Sequence, residues 1–340
     1  MTEIQKGFSR RRRGFLGTLG GLGMSSMTMS ISAATKSGGT QDTFKLIDMD
    51  MCISPTTTRE LHLDPTMLPK DLTFTGSRLM KLGFLDTVAE HYGRHTGSRV
   101  RIIGGGCDDG LIASRQGKSH FGELCCPVPG SPAAGMRWLP VAKDIKVVLT
   151  SPDNPVQSIS LANLRKVMSG EIRNWRELGG IDRPIVLIVH NHCPRYLEPV
   201  RTKVLDSGKS WSKYAMRSNT DFDHLRQLAR FPFSLGISSW ILAKPYVKQG
   251  QLKALNVDGA TPSVASVLQG NYPLTGPLNL IFALWMDDLM RPFLDFLYSE
   301  ESQSVIAKNA APVSGVQAAA LGNAPEYVLA AGKSTFKNRG

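Results

Sequence analysis

The chain has 340 residues, 41% of them hydrophobic, and a formal net charge of +12 at pH 7. Its length is enough for two compact α/β lobes. The basic residues are scattered, and aromatic residues do not alternate with them, which argues against a nucleic-acid-binding protein. The charge fits attraction of small anions or of an acidic partner surface, or a solvated basic face without a specific role.

The N-terminal segment has the composition of an export signal. Arg10 to Arg13 precede a mildly apolar run that ends at Ser30, and small residues follow in Ile31 to Ala34. This order predicts a twin-arginine signal over residues 1–34, which places the mature protein in the periplasm. No later apolar stretch reaches the roughly 18 residues of a membrane span, so we expect a protein that does not cross the membrane after cleavage.

After a polar segment over residues 35–70, strands alternate with helices. The helix after the first strand is predicted by Leu85, Val88, Ala89 and Tyr92, which fall on one face, with Ser77 as its cap. Such alternation predicts parallel βαβ units. The elements predicted in this half are strands over 71–75 and 100–103 and helices over 77–92 and 111–115.

The rest of the chain repeats the pattern. Ser160 is expected to cap a helix that ends before Gly170. The tail after Val313 is small and polar, so we expect it to be loosely attached. The elements predicted here are strands over 145–149, 184–189, 233–237 and 278–284 and helices over 160–168, 290–298 and 300–308.

Two stretches carry a family resemblance. Asp153 to Gly180, with its Asn-Pro-Val and Ser-Gly-Glu-Ile-Arg-Asn-Trp runs, resembles the periplasmic phosphate-binding protein of the ABC phosphate transporter. Asn271 to Leu278, followed by Phe293 to Gln303, resembles the same family. In these motifs Trp175 and Leu178 are interpreted as core anchors.

The resemblance implies a two-lobed α/β periplasmic-binding-protein fold with two hinge crossings, near Thr150 and near Ser238 to Trp240. It implies one lobe over 71–149 plus 241–313, a second over 150–240, and a tail over 314–340. Such proteins clamp an anion between the lobes with backbone N–H groups, hydroxyls and often an arginine. The ligand positions that it implies in this chain are Thr75, Gly76, Ser77, Cys107, Asp108, Cys125, His190, Cys193 and Arg195.

The resemblance therefore implies a monomeric, exported solute-binding protein for a phosphate-like oxyanion. Its partner would be an ABC permease or a membrane sensor, and neither catalysis nor a cofactor is expected.

The ligand loops differ from those of the family because they contain thiols, and this leaves a second hypothesis: the same cleft binds a soft metal or metalloid. Thiolates and imidazoles suit Cu(I), Zn(II) or arsenite. The residues that could bind such a soft ion are Cys107, Cys125, His190, His192 and Cys193.

Overall fold

The computed structural model of the protein describes residues 71–126, 133–190, 199–205 and 210–328. The predicted export signal and polar segment lie outside these ranges. Among the described residues, no helix is long and apolar enough to cross a membrane. The first elements alternate as predicted: β1 Leu72–Ser77, α1 Arg78–Met80, a π-helical segment Lys81–Leu85, α2 Asp86–Thr96, β2 Val100–Gly105, α3 Cys107–Arg115 and β3 Phe121–Leu124.

The middle of the chain also alternates strands and helices, and Ser160 and Gly170 cap its first helix as expected. Gly170 has φ 84°, a left-handed conformation that glycine adopts without strain. The elements are β4 Arg137–Thr150, β5 Ser158–Ile159, α4 Leu161–Ser169, a 3₁₀ turn Trp175–Leu178, β6 Val186–His190, α5 Pro199–Val204, β7 Met216–Ser218, α6 Asp221–Arg230 and β8 Ser234–Ser239.

The last part of the chain leads back to the sheet that contains the first three strands. Its elements are α7 Trp240–Lys248, β9 Lys253–Val257, α8 Val264–Leu268, β10 Thr275–Phe282, a 3₁₀ turn Leu284–Met286, α9 Asp287–Leu297, α10 Glu300–Ile306, β11 Ala311–Pro312 and α11 Gly315–Leu321.

The strand β4 joins the two halves of the sheet, whose order is β2-β1-β3-β10-β4-β8-β6-β7. Residues 137–145 of β4 pair with β10, and residues 146–150 pair with β8. We call the part built on β2, β1, β3 and β10 the first lobe, and the part built on β8, β6 and β7 the second lobe. The sheet therefore passes from one lobe to the other through β4, and the chain returns between β8 and α7.

β4 begins at Arg137 rather than at Ile145, where the apolar run starts. Pro140 lies in the added part, and a proline normally argues against a central strand because it donates no backbone hydrogen bond. Here Pro140 lies opposite Asn279, where the register of β10 shifts. The irregularity accommodates the proline, which the sequence pattern alone did not indicate.

Each lobe has its own aromatic core. In the first, Phe121 lies with its ring centroid 5.3 Å from that of Phe74 and 5.1 Å from that of Phe293. In the second, Trp175 is fully buried, as the family motif implied, and its indole N–H donates to the backbone oxygen of Phe233 at 2.9 Å. The aromatic rings of the first lobe and the indole of Trp175 in the second are thus the large buried side chains around which each lobe packs.

The expectation of a loosely attached tail is wrong for the residues up to Val328. Residues 315–321 form α11, which packs on β4, and Ala318 and Val328 are fully buried. Asn323 N–H also donates to the backbone oxygen of Trp138 at 3.0 Å. Small residues in this stretch allow close packing, which composition alone did not distinguish from a flexible tail.

Candidate functional site

Three strands of the first lobe end at one edge, and two helices begin there. β1 and β2 are parallel, with Ser77 opposite Gly105, and β3 runs parallel to β1 on its other side. The helices α1 and α3 start at Arg78 and Cys107, immediately after β1 and β2. The first turn of a helix presents unbonded N–H groups and a partial positive charge, so this edge has the arrangement that binds anions.

The first N–H groups of α1 are bonded to side chains of the chain itself. Leu79 N–H donates to Ser77 Oγ at 3.2 Å, and Met80 N–H donates to Glu123 Oε2 at 3.3 Å. Glu123 is fully buried, and its burial, with the neighbouring Cys125, raises the pKa of the carboxyl well above its usual value. The neutral acid is therefore favoured. Glu123 was not among the predicted site residues, although an acidic residue in a short apolar strand is an unusual signal.

Thr75 and Gly76 lie within the packed part of this edge. Thr75 is fully buried, and its hydroxyl oxygen has no hydrogen-bond partner among the described residues. A Cβ at Gly76 would lie 2.6 Å from the ring of Phe74 and 3.0 Å from Cβ of Glu123, so only glycine allows β1 and β3 to lie this close together. Gly76 thus has a packing role that is independent of any ligand.

Two of the predicted thiols meet. Cys107 Sγ lies 3.2 Å from Cys125 Sγ, and the two residues are only 1% and 4% exposed. Cys107 is the first residue of α3. The helix therefore starts four residues earlier than predicted, at Cys107 rather than at Leu111. Cys126 is fully buried beside them. The pair therefore belongs to the interior of the first lobe, below the helix starts.

The acidic pair after Cys107 closes the start of α3. Gly106 N–H donates to Asp109 Oδ2 at 2.9 Å, so Asp109 caps the helix. Asp108, the predicted ligand residue of the two, is 5% exposed.

Three other predicted candidates, Cys193, Arg195 and His192, lie outside the described residues. Within the described ranges, no three His, Cys, Asp or Glu side chains lie where they could hold one metal ion.

His190 ends β6 at the corresponding edge of the second lobe. Its Nδ1 lies 3.5 Å from Asp221 Oδ1, and its ring centroid lies 5.8 Å from that of His224. His224 Nδ1 lies 3.0 Å from the hydroxyl oxygen of Ser218. Burial, and then the neighbouring His190, lower the pKa of His224 to about 3, so this imidazole is neutral at ordinary pH.

The crossings carry a buried ion pair that the sequence analysis missed. Lys146 Nζ lies 2.9 Å from Asp144 Oδ2 on β4, and the hydroxyl of Ser239, at the end of β8, donates to Asp144 Oδ1 at 2.7 Å. Burial raises the pKa of Asp144, although Lys146 and Ser239 both act in the opposite direction. A lysine inside the otherwise apolar run over 145–149 is the signal that could have indicated this cluster.

A cavity of about 60 Å³ lies beside this cluster. Its walls come from both lobes, with Leu79 of the first lobe facing Met168 and Trp211 of the second. That volume holds only a few water molecules, or one small ion. Its polar lining consists of Lys146, His190, Asp221, Ser238 and Ser239.

The two lobes touch at two places. The guanidinium carbon of Arg78, in α1, lies 5.5 Å from the centre of the Phe222 ring in α6. Lys203 of α5 donates from its ammonium group to the backbone oxygen of Pro273, just before β10. These contacts join the two lobes beside the cavity-lining helices.

Of the predicted site residues, His190 lines the cavity. Thr75, Gly76, Ser77, Cys107, Asp108 and Cys125 are gathered at the first-lobe edge, but none of them is part of the cavity wall. Their roles in binding stay predictions. Lys146, Asp221, Ser238 and Ser239 are cavity residues that the family motifs did not indicate.

Comparison with known proteins gives one family. A family model described as a PBP superfamily domain matches residues 33–301. The phosphate-binding protein PstS of Bacillus subtilis is 26% identical over 238 residues, which cover 69% of this chain and 77% of the relative. The PstS of Borreliella burgdorferi is 24% identical over 174 residues, covering 48% of this chain and 61% of the relative.

Solved structures show the same fold. A putative phosphate ABC transporter substrate-binding protein from Clostridium perfringens, with bound phosphate, superposes with a TM-score of 0.61 at 23% identity, over 72% of this chain and 100% of that one. An ABC-type phosphate transport receptor from Vibrio cholerae gives 0.55 at 19% identity, over 71% and 99%. No comparison supports the thiol-based alternative.

Proposed function

Since this chain belongs to the PBP superfamily, we propose that it is an exported receptor that clamps a phosphate-like oxyanion between its two lobes and presents it to a membrane permease. The fold has two lobes joined at β4 and at the β8–α7 connection. Hinge closure around a ligand is the usual motion of such proteins. We assign residues 71–149 and 241–313 to one lobe and residues 150–240 to the other.

One observation carries the proposal: the cavity of about 60 Å³ lies between the lobes and has a buried lysine in its wall. This size suits a small inorganic oxyanion. Lys146 supplies positive charge, His190 and Ser238 add polar groups, and the one carboxylate among the described lining residues, Asp221, lies 3.5 Å from His190 Nδ1. A desolvated anion requires such partners because its burial is otherwise costly.

Phosphate is the first anion to test, because the PstS relatives are named for it. The protein acts without catalysis or a cofactor in this proposal. It functions as a monomer in the periplasm and reaches it by the twin-arginine route, as the order of Arg10 to Arg13, the apolar run and Ala34 predicts. The partner is the permease of an ABC transporter.

The test is isothermal titration calorimetry of the mature chain with phosphate, arsenate, sulfate and molybdate. We expect phosphate to bind with a dissociation constant of about 10 μM or lower. Small-angle scattering with and without phosphate should show compaction when the lobes close. If none of the four oxyanions binds, the proposal is wrong.

A further inference from the structure

We infer that Lys146, on the crossing strand β4, is the cation that holds the bound oxyanion, and that the hydroxyl of Ser238 donates to the same anion. This inference rests on the proposed function and names the residues that perform it. Neither residue is among the ligand positions that the family resemblance implies; Ser238 was named there only as the start of the second hinge crossing.

The charge of the cavity points to Lys146. Among the described residues that line it, Lys146 is the one lysine or arginine. Arg78 is directed elsewhere, since its guanidinium lies over Phe222. The Lys146 side chain is 11% exposed, so its charge acts in a largely dry environment, where attraction to an anion is much stronger than in water.

Ser238 gives an independent indication. The residue lines the cavity and is 6% exposed. Its hydroxyl oxygen is buried and has no hydrogen-bond partner among the residues that the structure describes. A buried hydroxyl without a partner is costly, and an anion in the cavity would remove that cost.

Asp144 fixes the lysine in place. Strand residues two apart point to the same side, which brings Asp144 and Lys146 together at 2.9 Å. An ammonium group has three N–H donors, so a lysine can bond to more than one group at once. Without a ligand function, a buried ion pair of this kind contributes little to stability.

The position of the pair also links binding to closure. Asp144 and Lys146 lie on β4, whereas Ser238 and Ser239 end β8, so the two chain crossings contribute to one cluster. The hydroxyl of Ser239 donates to Asp144 at 2.7 Å and accepts from Ile241 N–H at 3.2 Å, where α7 begins. An anion on Lys146 and Ser238 would therefore bridge both crossings directly.

The experiment compares Lys146→Met with Lys143→Met by phosphate calorimetry on the mature chain. Lys143 lies on the same strand but is exposed, so it controls for net charge and for the loss of a lysine. We expect a loss of affinity of at least about tenfold for Lys146→Met, the effect of removing a charge-assisted hydrogen bond, and less than about twofold for Lys143→Met. Circular dichroism and thermal melting check that each variant is folded.

Ser238→Ala and Lys146→Arg complete the set. Ser238→Ala removes an oxygen that has no partner, so the fold is expected to tolerate it, and phosphate affinity should fall by about threefold or more. Lys146→Arg keeps the charge and should retain most of the affinity. If the wild type binds phosphate, and both Lys146→Met and Ser238→Ala bind it with undiminished affinity, this inference is wrong and the proposed function stands. Absence of oxyanion binding in the wild type overturns both.

Discussion

The first-lobe edge and the cavity beside the crossings differ in what their polar groups contact. At the first-lobe edge the groups contact one another: Met80 N–H bonds to Glu123, and Cys107 lies against Cys125. Beside the crossings the polar groups surround about 60 Å³ of space. The first-lobe edge thus has the order of strands and helix starts that is typical of an anion site, whereas the cavity has the space for an anion. The family resemblance indicates the first-lobe edge, and only the three-dimensional structure reveals the cavity.

The largest expected effect tests whether the first-lobe edge is a packed structure. A Cβ at Gly110, in α3, would lie 2.4 Å from the backbone oxygen of Thr75. Gly110→Ala should therefore push α3 away from β1 and lower the free energy of unfolding by about 2–3 kcal/mol, as overpacking does. Denaturant unfolding monitored by fluorescence or circular dichroism measures the change.

Gly104→Ala is the matched control. It lies in β2, and its nearest neighbour for an added Cβ is the Lys81 side chain, at 3.8 Å. We expect a change below about 0.5 kcal/mol there. Equal stabilities for the two variants would show that the close approach of α3 to β1 is not required.

The second prediction contrasts a buried base in the second lobe with a buried acid in the first. The pKa of His224 is about 3 in the folded protein and about 6.5 in the unfolded chain. The unfolded state therefore binds more protons below pH 6.5, so stability falls as the pH falls. Between pH 6.5 and pH 5 the loss from His224 is about 1.6 kcal/mol. Comparing the unfolding free energies of wild type and His224→Asn across this range isolates that loss.

Glu123 should act in the opposite sense. Its folded pKa lies well above the ordinary 4.5, so the neutral acid stabilises the fold at low pH and this contribution is lost as the pH rises. Glu123→Gln keeps a neutral side chain and should become more stable than wild type toward pH 8, while leaving the stability at acidic pH unchanged.

If His224→Asn and wild type lose stability in parallel on acidification, His224 is not buried as a neutral group.

The sequence predicted the alternation of strands and helices because apolar periodicity and cap residues are local signals. Ser77, Ser160 and Gly170 cap helices as expected. The full length of β4 was missed because Pro140 is tolerated only through a register shift in β10, a partner distant in the chain. Lys146 and Ser238 were not predicted as ligand residues for a similar reason: their proximity depends on the pairing of β4 with β8, whereas the motifs were compared one loop at a time.

The smallest expected effect concerns the two thiols, which the family resemblance placed at ligand positions. Cys107 and Cys125 are 1% and 4% exposed, contact each other, and do not line the cavity. Cys107→Ser and Cys125→Ser should therefore change phosphate affinity by less than about threefold, a difference below 0.7 kcal/mol, while each costs about 1 kcal/mol of stability through a buried hydroxyl. Calorimetry on the reduced variants, next to Lys146→Met, compares the two regions directly. A tenfold loss in either serine variant would place the anion at the helix starts of the first lobe, where those N–H groups would first have to leave Ser77 and Glu123.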